Sequence, residues 1–324
     1  MTVVIGRLGW VALSMESTPG APTQPVDYIP FLDCNLDAKL DILDDVSARG
    51  LRDSHPENSQ LGKQWGEGSL KVNLDAKLAG YLVKGAMGQD SVVSDGNGVY
   101  THTMAPLGSS NTPASLSIIV NRSGVDKLLF PYSVINSLEL AFSDGFAELT
   151  ANIMSKFPTT SVSGVLVTTS GFYYAFRHAT IQVGSNLTNA LNSASPLKIR
   201  NFNVKIENTT EPQFVAGNRD VDSYIQKNLQ VKGSFVVAFE DTTQRDYFYN
   251  LTKQAMVVSF LGNGIGNNML EFVKLRFYKI RLDDNNIDIP PNDYVSQNIS
   301  FTAEYSSLDT ATMDWVIRNT KASY

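Results

Sequence analysis

The chain has 324 residues, of which 43% are hydrophobic and 18% are charged, and its formal net charge is −6. This composition is typical of a folded chain of about two domains and excludes a wholly disordered protein. The excess of acidic residues argues against a protein that binds nucleic acid tightly through its phosphates, because such binding requires clustered Lys and Arg.

The pattern of apolar and polar residues predicts a mainly β chain. Short alternating runs, separated by Gly, Asn, Asp and Pro, are typical of strands with one buried face. They lie at residues 35–41, 68–74, 136–142, 201–206, 233–239, 276–282 and 299–305.

Two short helices are predicted, each directly after a strand that begins Gly-Ser. The first has Asp75 as its cap, an apolar face and a stop at Gly88. The second has caps at residues 241–242, with Phe248 and Leu251 on one face. We expect both helices to close an open end of the sheet.

The sequence repeats itself at a nearly constant spacing. GSLKVNL at residues 68–74 returns as GSFVVAF at residues 233–239, an offset of 165. NLDAKLD from Asn35 returns as NFNVKIE from Asn201, an offset of 166, and GLRD from Gly50 returns as GNRD from Gly217, an offset of 167. Three matches in the same order predict a tandem duplication.

The duplication divides the chain into two units, residues 1–160 and residues 161–324. The boundary falls in the Ser/Thr-rich stretch TTSVSGVLVTTS, residues 159–170. Between its two matched strands each unit has a long segment without a strand pattern, 42–67 or 208–232. Loops longer than about 15 residues are uncommon in compact domains unless they are functional or disordered, so we expect these two loops to be functional.

The sequence offers little catalytic or metal-binding chemistry. His55, His102 and His178 have no partner at metal-ligand spacing, and neither a phosphate-binding loop nor a nucleophile elbow occurs. Cys34, the single cysteine, is expected to be a small buried residue in a reducing cytoplasm. We predict no enzyme activity, no metal and no cofactor. Because no leader or long apolar run is seen, we expect a soluble protein.

Several stretches resemble the major tail tube proteins of long-tailed bacteriophages. They are GWVALSMESTPGAPTQPVDYIPFLD near the start, the strand that begins GSL with its helix, NSLELAFSDG, and NISFTAEYSS before WVIRN. The resemblance covers most of the chain. The two halves differ where DIPPNDYVSQ, residues 288–297, separates two strands. The resemblance implies two tandem β-barrel or sandwich domains, each with one short flanking helix and a long stacking loop.

Members of that family form rings that stack into a hollow tube for DNA passage. Many have one unit and form six-membered rings, whereas members with a duplicated unit form three-membered rings with pseudo-sixfold symmetry. The resemblance therefore implies a virion tail protein that is assembled in the host cytoplasm and binds copies of itself. It also implies contacts with tape measure, terminator and distal tail proteins, and with DNA in transit without sequence-specific binding.

Two sets of residues are candidates for these roles. Alternate residues of a strand face opposite sides of a sheet, so the matched strands have an apolar core face and a polar face, which is the candidate tube lining. The core face has Leu36, Ala38, Leu40, Phe202, Val204 and Ile206, and the polar face has Asn35, Asp37, Lys39, Asp41, Asn203, Lys205 and Glu207. The candidate ring-stacking residues in the loops are Gly50, Arg52, Asp53, Gly217, Arg219 and Asp220.

Other interpretations stay open at this point. An ordinary solvated surface is also polar, and Gly-x-Arg-Asp is also compatible with a simple turn. Two alternative functions are another tail ring, such as a distal or terminator protein, and a ligand-binding double β-barrel. In the latter, Trp10, Tyr173 and Tyr174 would line the pocket.

Overall fold

The computed structural model describes residues 5–25, 27–47, 58–108, 110, 112–160, 171–266, 268–289, 291 and 295–324. Within these ranges the chain is mainly β with few helices, which confirms the predicted fold class. All seven predicted strands are found, most of them as parts of longer strands.

The described residues form the following strands. The first half has β1 (Trp10–Met15), β2 (Asp27–Ile29), β3 (Asp33–Cys34), β4 (Asp37–Leu43), β5 (Gln60–Asn73), β6 (Gly88–Gly96), β7 (Val99–Pro106), β8 (Leu116–Arg122), β9 (Asp126–Phe142), β10 (Glu148–Ser155) and β11 (Thr159–Thr160). The second half has β12 (Ala179–Gly184), β13 (Ile199–Glu207), β14 (Thr210–Gln213), β15 (Ser223–Gln226), β16 (Gln230–Ala238), β17 (Gln254–Gly266), β18 (Met269–Asp288), β19 (Ser296–Ala303) and β20 (Met313–Asn319).

The first predicted helix is α1 (Ala79–Met87). Asp75 Oδ1 accepts the backbone N–H groups of Lys77 at 2.8 Å and Leu78 at 2.5 Å, so the predicted cap is present. The helix ends at Gly88, whose φ of +90° favours glycine. Every residue of α1 except Lys84 is buried, and the helix packs against β1, β7 and β9. Helix α1 is therefore part of the core.

The second predicted helix is α3 (Thr243–Tyr249), and a further helix, α2 (Leu187–Leu191), was not predicted. The assignment of Leu251 to the buried face of α3 is wrong, because the helix ends before it. Leu251 has a φ of +50° and is exposed. Helix α2 is only five residues long and Asn186 caps it, which is too little periodicity for a sequence-based prediction.

Eight antiparallel strands form one continuous sheet in the order β4–β5–β10–β9–β13–β16–β19–β18. Only the second halves of the long strands β9 and β18 belong to it. Their first halves pair with β8 and β17, and so continue into a second layer. The main hydrophobic core includes residues from both layers, from both halves of the chain and from α1.

The long segments predicted to lack strands are partly strand. β4 extends to Leu43, β5 begins at Gln60, and the segment 208–232 contains the β14–β15 hairpin. The pattern missed these strand ends because residues on both sides of the outer part of the β4–β5 hairpin are exposed, so apolar and polar positions do not alternate there.

The two halves repeat the same pairings in the same order. In the first half β1 pairs with β8, β8 with β9, β9 with β10, β10 with β5 and β5 with β4. In the second half β12 pairs with β17, β17 with β18, β18 with β19, β19 with β16 and β16 with β13. The β6–β7 hairpin is an insertion in the first half.

Two irregularities of register also repeat. One lies between Leu116 and Ile118 in β8 and recurs between Gln254 and Met256 in β17. The other skips Asn136 between β9 and β10 and recurs where Asp283 is skipped between β18 and β19. Since 283 − 136 = 147, the second half of β9 corresponds to the second half of β18 at an offset of 147. Bulges occur at specific positions, so two shared bulges are a strong sign of common origin.

The backbone also corrects one of the sequence matches. A Cβ added to Gly68 would lie 2.6 Å from the Asn35 carbonyl oxygen, and one added to Gly233 would lie 2.5 Å from that of Asn203. Asn35 therefore corresponds to Asn203, at 203 − 35 = 168, and not to Asn201. A shift of two residues preserves the alternation of faces, so the predicted core and polar faces are unaffected.

Candidate functional site

One face of the eight-stranded sheet is polar and carries six of the seven candidate lining residues. The two matched strands alternate between core and surface. Residues buried against the core are Leu36, Phe202, Val204 and Ile206, whereas Asn35, Asp37, Lys39, Asn203, Lys205 and Glu207 lie on the opposite face and are exposed or partly exposed.

The seventh candidate, Asp41, lies outside this regular region. The register of β4 against β5 becomes irregular between Leu40 and Ile42. Leu40 is 49% exposed, so its assignment to the core face is wrong, and Ala38 is only partly buried. Both sides of the hairpin are exposed there, so no second layer makes a core face.

Further charged side chains lie on this face besides the candidate lining residues. Lys71 Nζ is 2.6 Å from Glu148 Oε2, and Glu139 lies directly opposite Lys205 and accepts a hydrogen bond from Asn203. The alternation of GSLKVNL and NSLELAF puts Lys71 and Glu139 on the polar side of their strands, but the strand order is needed to place both on this face. The charged residues of the face include Asp37, Glu67, Glu139, Glu148, Glu207, Asp284 and Asp288, with Lys39, Lys71, Lys205, Lys232 and Arg281.

The face is thus mixed in sign, with more acids than bases. Lys205 Nζ is 3.3 Å from Glu207 Oε2 on the same strand, and Lys71 pairs with Glu148 on the neighbouring strand. Lysines that are paired in this way are less available to phosphate groups, while unpaired carboxylates repel them. The arrangement disfavours tight binding of a nucleic acid backbone.

The two outer strands of the sheet, β4 and the second half of β18, each have an open edge. In the described part of the chain, β4 pairs with β5 alone, and residues 281–288 of β18 pair with β19 alone. An open edge presents unpaired N–H and C=O groups, which natural proteins cover or pair. These edges are the natural places for a further strand to add.

Arg122 covers part of the β4 edge. Its guanidinium donates to the Leu36 carbonyl at 3.2 Å and forms ion pairs with Asp37 and Asp126, both at 3.0 Å. Burial alone would raise the pKa of Asp37, but hydrogen bonds from Arg122 and the Ala38 amide outweigh it, and the pKa is lowered. The carboxylate of Asp37 therefore keeps its charge to a lower pH than an unpaired Asp does.

The two halves of the chain join through β9 and β13. These strands pair antiparallel from Phe142 opposite Phe202 to Ser137 opposite Glu207. The ring of Phe142 stacks on Phe202 with centroids 5.5 Å apart and meets Phe260 edge-on at 5.5 Å. A strand edge of one half and an aromatic pocket of the other thus form one buried junction.

The candidate stacking residues of the second loop contact the first half of the same chain. Arg219 Nε donates to the Gly62 carbonyl at 3.1 Å, and Gln64 Nε2 donates to Asp220 Oδ1 at 2.6 Å. Gly217 has a φ of +88°, as a turn that favours glycine requires. The corresponding candidates Gly50, Arg52 and Asp53 lie outside the described residues.

An open groove of about 1060 Å³ lies beside the start of β4. Its walls include Trp10, Tyr28, Phe31, Cys34 and Arg122. Cys34 is partly exposed and not fully buried as expected, although burial raises the pKa of its thiol. The groove is mainly apolar, with the Arg122 ion pairs at its rim.

The aromatic residues suggested for a ligand pocket do not converge. Trp10 lines the groove, but Tyr173 packs against Phe146 at 6.2 Å between ring centroids, and the buried Tyr174 packs against Phe260 at 5.7 Å. Tyr174 therefore belongs to the core.

The described residues contain no group of three metal-ligating side chains. His102 is buried, with Nδ1 beside Asp90 at 3.2 Å and Nε2 bonded to the Lys321 carbonyl at 2.8 Å, whereas His178 lies apart and His55 is outside the described residues. In the same ranges, none of the helices combines the length and the apolar character that crossing a lipid bilayer requires.

Comparison with known proteins identifies one family. The family model described as "Phage tail tube protein" matches residues 6–303, which is nearly the whole chain. None of the curated proteins matches the sequence.

Proposed function

Because the chain belongs to the phage tail tube protein family, and is therefore a structural protein of a phage tail, we propose that it polymerises as stacked rings into a hollow tube that conducts DNA. The observation that carries this proposal is the open edge at each end of the eight-stranded sheet. Pairing of opposite edges on neighbouring copies satisfies the unpaired backbone groups. It is also a head-to-tail contact, which closes into a ring if the rotation per copy fits.

The proposed ring contains three chains and six similar units. The repeated pairings and bulges support a division into residues 1–160 and residues 161–324, joined by the β9–β13 pairing. Two units in one chain halve the number of association events in a ring, and each association costs rigid-body entropy. The duplication thus makes ring closure easier and lets the two units diverge.

The polar face of the eight-stranded sheet is proposed to line the tube. It is the face opposite the core, so it lies against solvent in the single chain. If it lines the tube, its excess of acids over bases repels phosphates and limits counterion release on contact, so DNA slides through without being held. Asn35, Asp37, Lys39, Asn203, Lys205 and Glu207 belong to this lining, and Asp41 lies at its rim.

Stacking of rings is assigned to the loops with the Gly-x-Arg-Asp match. Arg219 and Asp220 hold the second loop against the first unit, which places Gly217 at an exposed turn. We assign the equivalent role to Gly50, Arg52 and Asp53. The tube is assembled in the host cytoplasm, with the tape measure, terminator and distal tail proteins as further partners.

Negative-stain imaging of the purified protein tests this proposal. The proposal predicts rings and long tubes formed without other phage proteins. Single rings or short stacks that do not grow would instead indicate a terminator or distal tail protein. A monomer at every concentration up to the millimolar range would exclude the tube and leave a ligand-binding module.

A further inference from the structure

The junction within the chain shows how one unit meets the next. Phe142, at the end of β9, is 7% exposed because it fits between Phe202 on β13 and Phe260 on β17. Residues 137–142 of β9 pair with residues 202–207 of β13 beside it. The join therefore has two parts, a strand pairing and an apolar side chain in a pocket.

The counterpart of this pocket in the first unit is the open groove. Phe202 faces Phe235 across the β13–β16 pairing, and Cys34 faces Leu70 across the β3–β5 pairing, so Cys34 occupies the position of Phe202. Likewise, Arg122 on β8 occupies the position of Phe260 on β17, since 260 − 122 = 138 and the two strands correspond at that offset. Both Cys34 and Arg122 line the groove of about 1060 Å³.

The counterpart of Phe142 is Ile289. The second halves of β9 and β18 correspond at an offset of 147, and 142 + 147 = 289. Ile289 is 73% exposed, whereas Phe142 is buried. The chain thus has an exposed Ile at the end of one open edge strand and an open apolar groove beside the other. They correspond to the two parts of the β9–β13 junction, the side chain and its pocket, but they do not contact each other within one chain.

We propose that the groove beside Cys34 receives Ile289 of a second copy of this chain, with residues 284–289 of that copy paired antiparallel to residues 34–39. The inference rests on the proposed ring and specifies its joint. The β9–β13 register, carried over, sets Ile289 opposite Cys34, Ile287 opposite Leu36 and Asp284 opposite Lys39.

The side chains at the proposed joint are complementary. Asp284 and Lys39 are opposite charges at opposing positions, a favourable cross-strand pair on the polar face. The groove walls Trp10, Tyr28 and Phe31 are apolar, which suits an Ile side chain.

One buried polar group at these edges has no partner in the described part of the single chain, and one backbone acceptor at the edge is bonded by a side chain. Asn285 Nδ2 is buried and has no hydrogen-bond partner among the described residues. Arg122 donates to the Leu36 carbonyl, an edge acceptor, and keeps its ion pairs with Asp37 and Asp126 if the incoming strand takes over that carbonyl. A further strand can therefore pair with the β4 edge without leaving the Arg122 guanidinium unpaired.

The native cysteine makes the register directly testable. Opposing residues of antiparallel strands have Cα atoms about 4.5–5.5 Å apart, which is within the range of a disulfide. Cys34 is the only cysteine in the chain, so the single substitution Ile289→Cys creates one pair. Assembled protein is oxidised with copper–phenanthroline in air and run on a non-reducing denaturing gel. We expect disulfide-linked dimers and trimers that dithiothreitol reverses.

Two matched controls distinguish cross-linking that depends on the proposed register from cross-linking between any two thiols that lie close together. Asp288→Cys places the thiol one residue away on the opposite face, and Ile289→Cys combined with Cys34→Ser removes the native partner. Both are expected to give at least about tenfold less linked product. The first thiol points to the other face, because alternate residues of a strand face opposite sides, and the second variant has no partner thiol. Equal linkage of the Asp288→Cys variant overturns the proposed register.

A second pair keeps the test decisive if Ile289→Cys impairs assembly. Lys39→Cys with Asp284→Cys, in a Cys34→Ser chain, probes the same register on the polar face. Rings or tubes in which neither pair forms a cross-link overturn the proposed joint but leave the proposed function standing. Failure of the unmodified protein to assemble at all overturns the proposed function instead.

Discussion

The carbonyl oxygens of Asn35 and Asn203 occupy the same position in the two halves of the chain, each against a glycine of the neighbouring strand. A Cβ on Gly68 would lie 2.5 Å from Leu36 Cα, and one on Gly233 would lie 2.5 Å from the Asn203 carbonyl oxygen. Neither neighbour is the end of a flexible side chain. The repeated Gly-Ser therefore reflects a close approach of two backbones that both halves keep.

Gly68→Ala and Gly233→Ala are each expected to destabilise the folded chain by about 1–3 kcal/mol, because the added methyl group overpacks a rigid contact. Urea-induced unfolding of the unassembled protein measures this loss. Gly145→Ala is the matched control, since a Cβ there meets nothing within 4 Å, and we expect a change within about 0.5 kcal/mol. Equal effects at all three glycines would contradict the close approach.

Asp75 is expected to make stability depend on pH. Burial raises the pKa of this carboxyl even though it accepts three backbone N–H groups at the start of α1. A raised folded-state pKa contributes stability below the ordinary carboxyl pKa, and that contribution is lost as pH rises through the folded-state pKa. Asp75→Asn keeps an acceptor and removes the charge, so its stability relative to the native chain should increase from about pH 4 to pH 8.

Asp75→Ala separates the charge from the cap. It loses the acceptor altogether and is expected to cost about 0.5–2 kcal/mol of unfolding free energy at acid pH, where the native carboxyl is neutral. Denaturant titrations across this pH range compare the three proteins. If Asp75→Asn shows the same pH dependence of stability as the native chain, burial does not favour the neutral form of the Asp75 carboxyl.

Much of the fold was predictable because its signals are local and periodic. The strands that alternate against the core, the cap at Asp75 and the stop at Gly88 were all visible in the sequence. The outer part of the β4–β5 hairpin was not, since both of its faces are exposed there and no alternation results. Leu251 was misplaced because apolar spacing alone does not show where a helix ends.

The sequence predicted that the candidate site is a polar sheet face, but it did not predict all the residues on that face. Alternation alone assigned Asn203, Lys205 and Glu207 to a polar face, whereas Glu139 and Glu148 required the knowledge that β9 and β10 lie between the matched strands. Likewise, the two-residue error in matching Asn35 to Asn201 is invisible in sequence, because a shift of two preserves the face of every residue.

Charge reversal on the polar face tests its role in DNA passage. Phage whose tails carry Glu67→Lys and Glu207→Lys should assemble but eject DNA more slowly, by about tenfold or more, because the added lysines bind phosphates and release counterions. Asp37 is left unchanged because it holds Arg122. Asp144→Lys with Glu240→Lys is the control, with the same change in charge at exposed positions outside the strands of the sheet. Equal ejection rates for both variants would show that the face does not meet DNA.

Removal of the first loop tests the assignment of ring stacking. Deletion of residues 48–57, with a short Gly-Ser bridge from β4 to β5, spares the strand that begins at Gln60. We expect soluble rings that no longer stack, seen by negative-stain imaging and by sedimentation. Arg219→Ala, which removes only the contact with the Gly62 carbonyl, should still form tubes. If the deletion variant forms tubes of normal length, these loops do not make the stacking contact.

The number of chains in a ring tests the central claim most directly. Cryo-electron microscopy of tubes assembled from the purified protein gives this number, together with the strands that line the wall. We predict threefold symmetry, with the eight-stranded sheets of three copies forming one closed wall and β18 of each copy beside β4 of the next. Six full chains per ring, or a wall in which these two edges do not meet, would contradict the account.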